Sequence, residues 1–143
     1  MTNYEINEVM ALEIAEILKK YELFNETQIF YNQKMMTYDH EKQESIIQEN
    51  IELADYADHG NPDMITIQYQ GENSLYMIVN GFADGVEEVK RCNRIVSELI
   101  KLGEKHNRWY ELGSKNNLYY VSDEDDVYTT ERFDFTKKAE FPN

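Results

Sequence analysis

The 143 residues hold 28 acids against 14 basic residues, a formal charge of −14, with 41% hydrophobic and 13% aromatic residues. That is enough chain and apolar material for one folded domain, so intrinsic disorder is excluded, and an acidic balance excludes a conventional DNA- or RNA-binding surface, whose phosphate contacts need Lys and Arg. No run approaches the roughly 18 apolar residues of a membrane span, the start Met1-Thr2-Asn3-Tyr4-Glu5 lacks signal-peptide character, and the lone Cys92 excludes an internal disulfide. These features predict a single cytoplasmic domain over residues 1–143, with a flexible tail from about 137, no membrane contact and no direct nucleic-acid contact.

Ile6, Met10, Ile14, Ile17, Leu18 and Tyr21 recur at helical spacing and predict a first helix. Thr2 and Glu5 fit a capping box, and early Glu with late Lys19-Lys20 suits the helix dipole. From Thr27 to Tyr38 the strand formers predict either one bent strand or a hairpin turning at Asn32-Gln33. Residues 41–58 return to helical spacing through Ile46, Ile47, Asn50, Ile51 and Ala54, with Glu41, Glu44, Glu52 and Asp55 on the opposite side. His59-Gly60-Asn61-Pro62 stops that helix.

Met64–Tyr69 alternates as a strand, Gly71-Glu72-Asn73-Ser74 turns, and Leu75–Val79 returns, which predicts a hairpin closed by Asn80-Gly81. A second long helix is expected from about Asp84 to Lys105, followed by short strands at Arg108–Leu112, Leu118–Val121 and Val127–Phe135. The fold class is α+β: an antiparallel sheet of about five strands packed against two or three helices.

The chain lacks a phosphate-binding glycine loop, a Gly-x-Ser-x-Gly elbow and a His-Glu-x-x-His motif. Asp55 and His59 would share a helical face, as an acid–base or partial metal pair or as a surface contact at a helix C-terminus, the better reading. His40 and His106 read as exposed loop residues. Cys92 reads as a small packed side chain, although Lys90, Arg91 and Arg94 would favour a thiolate if it were exposed. Asp123-Glu124-Asp125-Asp126 offers carboxylates to a hard cation but lacks EF-hand spacing, so an exposed, mutually repelling turn is the better reading. Asp63 with Glu88 and Lys90 resembles a metal-dependent nuclease set only superficially, because the Glu and Lys fall in a predicted helix. No cofactor is implied.

The charge is uneven. Residues 1–63 hold 14 acids and 4 basic residues, and Asp39–Asp63 holds eight acids against Lys42 alone. A row of carboxylates on one helix repels itself. Solubility accounts for it in one reading. In the other, the row pairs with Lys and Arg of a cationic groove that otherwise holds nucleic acid. The residues expected to do so are Glu41, Glu44, Glu49, Glu52, Asp55 and Asp58, then Asp123, Glu124, Asp125 and Asp126, with Tyr56 and Tyr120 as anchors. Eleven tyrosines, including Tyr119, Tyr120 and Tyr128 beside the acidic turn, suit an interface as well as a β-rich core.

A small, acidic, Tyr- and Glu-rich, Cys-poor α+β chain of this kind resembles phage- and mobile-element-encoded inhibitors of bacterial defence, above all the anti-CRISPR proteins. The block from Asn61-Pro62-Asp63 to Asn80-Gly81 is similar in style to small prophage proteins. The resemblance covers the chain in composition and character, and the residue roles come from the charge pattern alone. It implies a DNA-mimicking inhibitor without enzymatic activity in a bacterial cytoplasm, acting on a cationic nucleic-acid-binding protein such as an RNA-guided nuclease. The rivals are an oligomerising module, with a homodimer through its apolar face, and a metal-dependent hydrolase.

Overall fold

The computed structural model describes residues 1–57, 59–70, 74–114 and 116–123. The fold is α+β. Helix α1 (Asn3–Lys20) leads through a 3-10 turn (Phe24–Glu26) into strands β1 (Thr27–Tyr31), β2 (Lys34–Asp39) and β3 (Glu44–Glu49). A second 3-10 turn (Leu53–Asp55), strand β4 (Thr66–Tyr69), helices α2 (Ser74–Val79) and α3 (Val86–Lys105), and strands β5 (Arg108–Ser114) and β6 (Asn117–Ser122) follow. The described strands form one six-stranded sheet in the order β3-β2-β1-β4-β6-β5, antiparallel at every pairing.

The first helix starts as expected. Glu5 N–H donates to Thr2 Oγ1, and Thr2 N–H donates to the Glu5 carboxylate, so both free amides are satisfied. Its apolar stripe of Met10, Ile14 and Leu18 is fully buried. Residues 27–38 form a hairpin, because Asn32 (φ 50) and Gln33 (φ 61) both adopt the left-handed conformation of a tight two-residue turn.

Two expectations are overturned. Residues 41–58 do not form a helix: Glu44–Glu49 pairs along its whole length with β2, from Asp39↔Glu44 to Lys34↔Glu49. Asp39 Oδ1 accepts from the amides of Glu41 and Lys42, which turns the chain back on itself. A helix here would hold carboxylates three and four residues apart in mutual repulsion, whereas a strand separates them, and the β-branched pair Ile46-Ile47 suits a strand. Likewise Leu75–Val79 is not a return strand but lies in α2. Strand β4 is flanked by β1 and β6, so no free edge remains for a hairpin partner. Leu75 and Ile78 are instead buried three residues apart, with α2 against α3. The expected turn residues 71–73, the strand Val127–Phe135 and the tail from 137 lie outside the described residues.

The helices cover one face of the sheet. Met36, Ile29, Ile67 and Leu118 form a cross-strand row of buried side chains beneath Met10, Ile14, Leu18, Ile95 and Leu99. Helix α3 approaches β5 and β6 closely at Gly103, where a Cβ would sit 2.7 Å from the Arg108 carbonyl oxygen and 2.9 Å from the Tyr120 ring. The buried Arg108 guanidinium ties β5 to α1 by donating to Asn7 Oδ1 (2.6 Å) and Asn3 Oδ1 (3.1 Å). Asn7 Nδ2 in turn donates to Asn32 Oδ1 and the Asp63 carbonyl. On the opposite face Phe30, Met35 and Thr66 are also buried, Phe30 against Tyr56 of the segment between β3 and β4, where Met64 and Asn61 are buried and the His59 carbonyl accepts from Asn117 Nδ2.

Candidate partner-binding surface

The candidate surface is the β3 side of the sheet. Alternation along a strand sends successive side chains to opposite faces. Register with β2 therefore places Ser45, Ile47 and Glu49 on the helix-covered face, level with Tyr38, Met36 and Lys34, and Glu44, Ile46 and Gln48 on the other. Edge position leaves both sets in water: Ile46 is 39% and Ile47 48% exposed, and Glu44 and Glu49 are exposed with them. Glu41 stands in the β2–β3 turn, while Glu52 and Asp55 lie just beyond β3, all three exposed.

The carboxylates fall into two sets with different electrostatics. Three of those on the helices, Glu8, Glu13 and Glu98, are matched within the chain. Glu8 receives Lys34 at 2.8 Å; Glu13 receives Lys105 and, at 2.8 Å, His106; Glu98 receives Lys20 at 2.7 Å and the Tyr21 hydroxyl. Partial burial of each opposes ionisation, but the hydrogen bonds and cations more than offset it and hold all three carboxyls below their usual range. The second set, Glu41, Glu44, Glu49, Glu52 and Asp55, forms no ion pair among the described residues. Lys34, level with Glu49, is committed to Glu8. Among the described residues, negative charge is thus cancelled at Glu8, Glu13 and Glu98 and left uncancelled along the β3 edge, as it also is at the exposed Glu22, Asp84 and Glu104.

The expected residues therefore share a region but not a rigid helical row. Glu44 and Glu49 lie about 17 Å apart along the strand, from the roughly 3.4 Å rise per residue, and on opposite faces. Tyr56 belongs to the region: its ring is 41% exposed and rests on Phe30 at 5.4 Å between centroids. Beside it a cleft of about 310 Å³ is lined by Tyr4, Phe30, Lys34, Glu52, Pro62 and Asp63, among others. Tyr120 does not belong. It is fully buried, and its hydroxyl donates to the Leu99 carbonyl at 2.9 Å, so it is a core side chain and not an interface anchor. Asp123 is exposed after β6, which three strands separate from β3. Asp58, Glu124, Asp125, Asp126 and Tyr128 lie outside the described residues.

The remaining candidates take plain structural places. Asp55 closes a 3-10 turn and His59 sits in an isolated β-bridge, so the shared helical face that would have paired them is not formed. His40 is exposed in the β2–β3 turn, whereas His106, expected in an exposed loop, is half-buried at the end of α3 against Glu13. Cys92 is packed in the core, where burial and the nearby Glu88 push its thiol up, away from the thiolate. Glu88 and Lys90 stand in the first turns of α3. Among the described residues no three His, Cys, Asp or Glu side chains converge as a metal site, and no helix is long and apolar enough to cross a membrane.

Sequence reasoning missed Ile46 and Ile47 as surface residues, Asn7 as a buried polar junction, and Glu8, Glu13 and Glu98 as internally neutralised. The first was signalled by the Asp39–Lys42 turn standing directly before two adjacent β-branched residues. The others join residues 25 to 101 positions apart, which local spacing does not encode. Compared with protein-family models, curated proteins and solved structures, the chain has no match.

Proposed function

We propose that this protein is a non-enzymatic binding protein that inhibits a cationic, nucleic-acid-binding defence nuclease through an acidic, DNA-mimicking surface. The observation that supports this most is the division of its carboxylates: Glu8, Glu13 and Glu98 on the helices are paired internally, while Glu41, Glu44, Glu49, Glu52 and Asp55 are exposed without an internal cation. Such a surface draws in a basic partner by long-range attraction and occupies Lys and Arg side chains that would otherwise hold phosphates. Tyr56, half-exposed and supported by Phe30, adds a rigid aromatic contact beside the charges.

The test is a cleavage assay with a guide-loaded RNA-guided nuclease, run with the wild-type chain and with Glu44, Glu49 and Glu52 reversed to Lys. Inhibition that weakens with salt and disappears in the reversed chain is expected. Unchanged inhibition removes the surface, and no inhibition at low salt removes this partner class.

A second reading, an oligomerising module, is favoured by exposed Phe82, Val86 and Val89 at the start of α3. Light scattering at rising salt separates the two, since a tight homodimer indifferent to salt belongs to the second.

A further inference from the structure

We propose that β3 is a docking edge for an extended basic segment of the partner, which joins the sheet as a further antiparallel strand. The sign of the partner's charge rests on the reading above; the mode of attachment rests on backbone geometry.

Among the described residues β3 pairs only with β2, so its outer side has no ladder partner. Alternate residues of an antiparallel edge strand aim both N–H and C=O outward, a ready template for another strand. The slot has fixed ends. Gln43 (φ 54) and Asn50 (φ 60) hold left-handed conformations on either side of Glu44–Glu49, so the straight segment is six residues and about 20 Å long. Register with β2 is continuous from end to end. Proline and bulges are absent from these six residues, and the charges that guard the edge, Glu44 and Glu49, are both negative.

Charge selects the occupant. A second copy joined at this edge would bring the unpaired Glu41, Glu44, Glu49 and Glu52 of both chains close together, and like charges so near oppose that pairing. An antiparallel segment with Lys or Arg five residues apart instead sets a cation directly opposite each of Glu49 and Glu44. Because Glu44 and Glu49 project to opposite faces, two basic residues five apart on an extended strand project correctly to meet them. Ile46 and Ile47, half-exposed on opposite faces, take one apolar neighbour each. The matching segment reads basic, any residue, apolar, apolar, any residue, basic. Peptides that add to a sheet draw affinity from the main chain and specificity from such alternating side chains.

The experiment titrates the full chain with three peptides: acetyl-Ser-Arg-Thr-Val-Val-Thr-Arg-Ser-amide, the same peptide with Glu for both Arg, and the Arg peptide with Pro for both Thr. Amide hydrogen exchange and affinity are read together. The first peptide is expected to slow exchange of the outward β3 amides and to bind about tenfold or more tighter than the other two. In the E44K/E49K chain the preference passes to the Glu peptide. Equal binding of the Thr and Pro peptides with β3 amides unprotected overturns strand addition and leaves the acidic-surface reading standing. Protection of the Arg peptide's site without any nuclease inhibition overturns that reading and leaves strand addition standing. Outward β3 amides already protected in the free monomer, or through dimerisation, overturn the proposal.

Discussion

Asp39 and Glu44 stand directly opposite each other across β2 and β3, two acids at paired positions of an antiparallel ladder. Like charges in that arrangement oppose the pairing, yet Asp39 is held there because its carboxylate caps the amides of Glu41 and Lys42. Glu44 has no comparable task inside the fold. Glu44→Gln is therefore expected to raise stability by about 0.2–1 kcal/mol in urea denaturation, the usual scale of a cross-strand pair. The same change is expected to weaken binding to a cationic partner, so that stability and affinity move in opposite directions.

Tyr120 provides the converse case. Its hydroxyl is buried and bonded to the Leu99 carbonyl, so Tyr120→Phe removes a hydrogen bond and leaves a buried carbonyl without that donor. Because that carbonyl keeps its bond within α3, a loss of about 0.5–1.5 kcal/mol in the unfolding free energy from urea denaturation is expected, with partner affinity unchanged. Lost affinity with unchanged stability would place Tyr120 at the interface.

Gly103 admits no side chain, since a Cβ there would lie 2.7 Å from backbone oxygen of Arg108 and 2.9 Å from the Tyr120 ring. Backbone on one side cannot yield as a flexible side chain would. Gly103→Ala is expected to push α3 away from β5 and β6 at a cost of about 1–3 kcal/mol, the scale of overpacking. Thermal and urea unfolding measure it, and an unchanged midpoint would contradict this close approach.

Glu13 makes stability depend on pH in a defined direction. Burial raises its pKa, but the bonds from Lys105 and His106 outweigh this and hold the folded carboxyl below the unfolded value of about 4.3. A depressed pKa means the unfolded state binds the proton more readily. The contribution is therefore complete above the unfolded value and declines as pH falls through the folded one. Glu13→Gln is expected to lower the urea midpoint at pH 7, with the difference from wild type shrinking at pH 4 and below. A difference constant across that range would show that charge at Glu13 contributes nothing.

Local chemistry alone determined several elements. Thr2 and Glu5 are close enough in sequence to build the α1 cap, and the stripe of Met10, Ile14 and Leu18 specifies which side of that helix is buried, whereas the choice of a hairpin over a bent strand at Asn32-Gln33 came from the structure. The α+β class and the acidic excess of the Asp39–Asp55 stretch were legible for the same reason. What the tertiary structure decided was the use of ambiguous segments. Residues 44–49 and 75–79 each carry apolar side chains that fit a strand or a helix; β2 had an edge to give and β4, enclosed by β1 and β6, had none. Pairing of Glu8 with Lys34 and of Glu13 with Lys105 is equally non-local, and it settles which acids are cancelled and which remain. Ladder hydrogen bonds and counter-ions are supplied by distant parts of the chain, so side-chain spacing along one segment does not record whether they are available there.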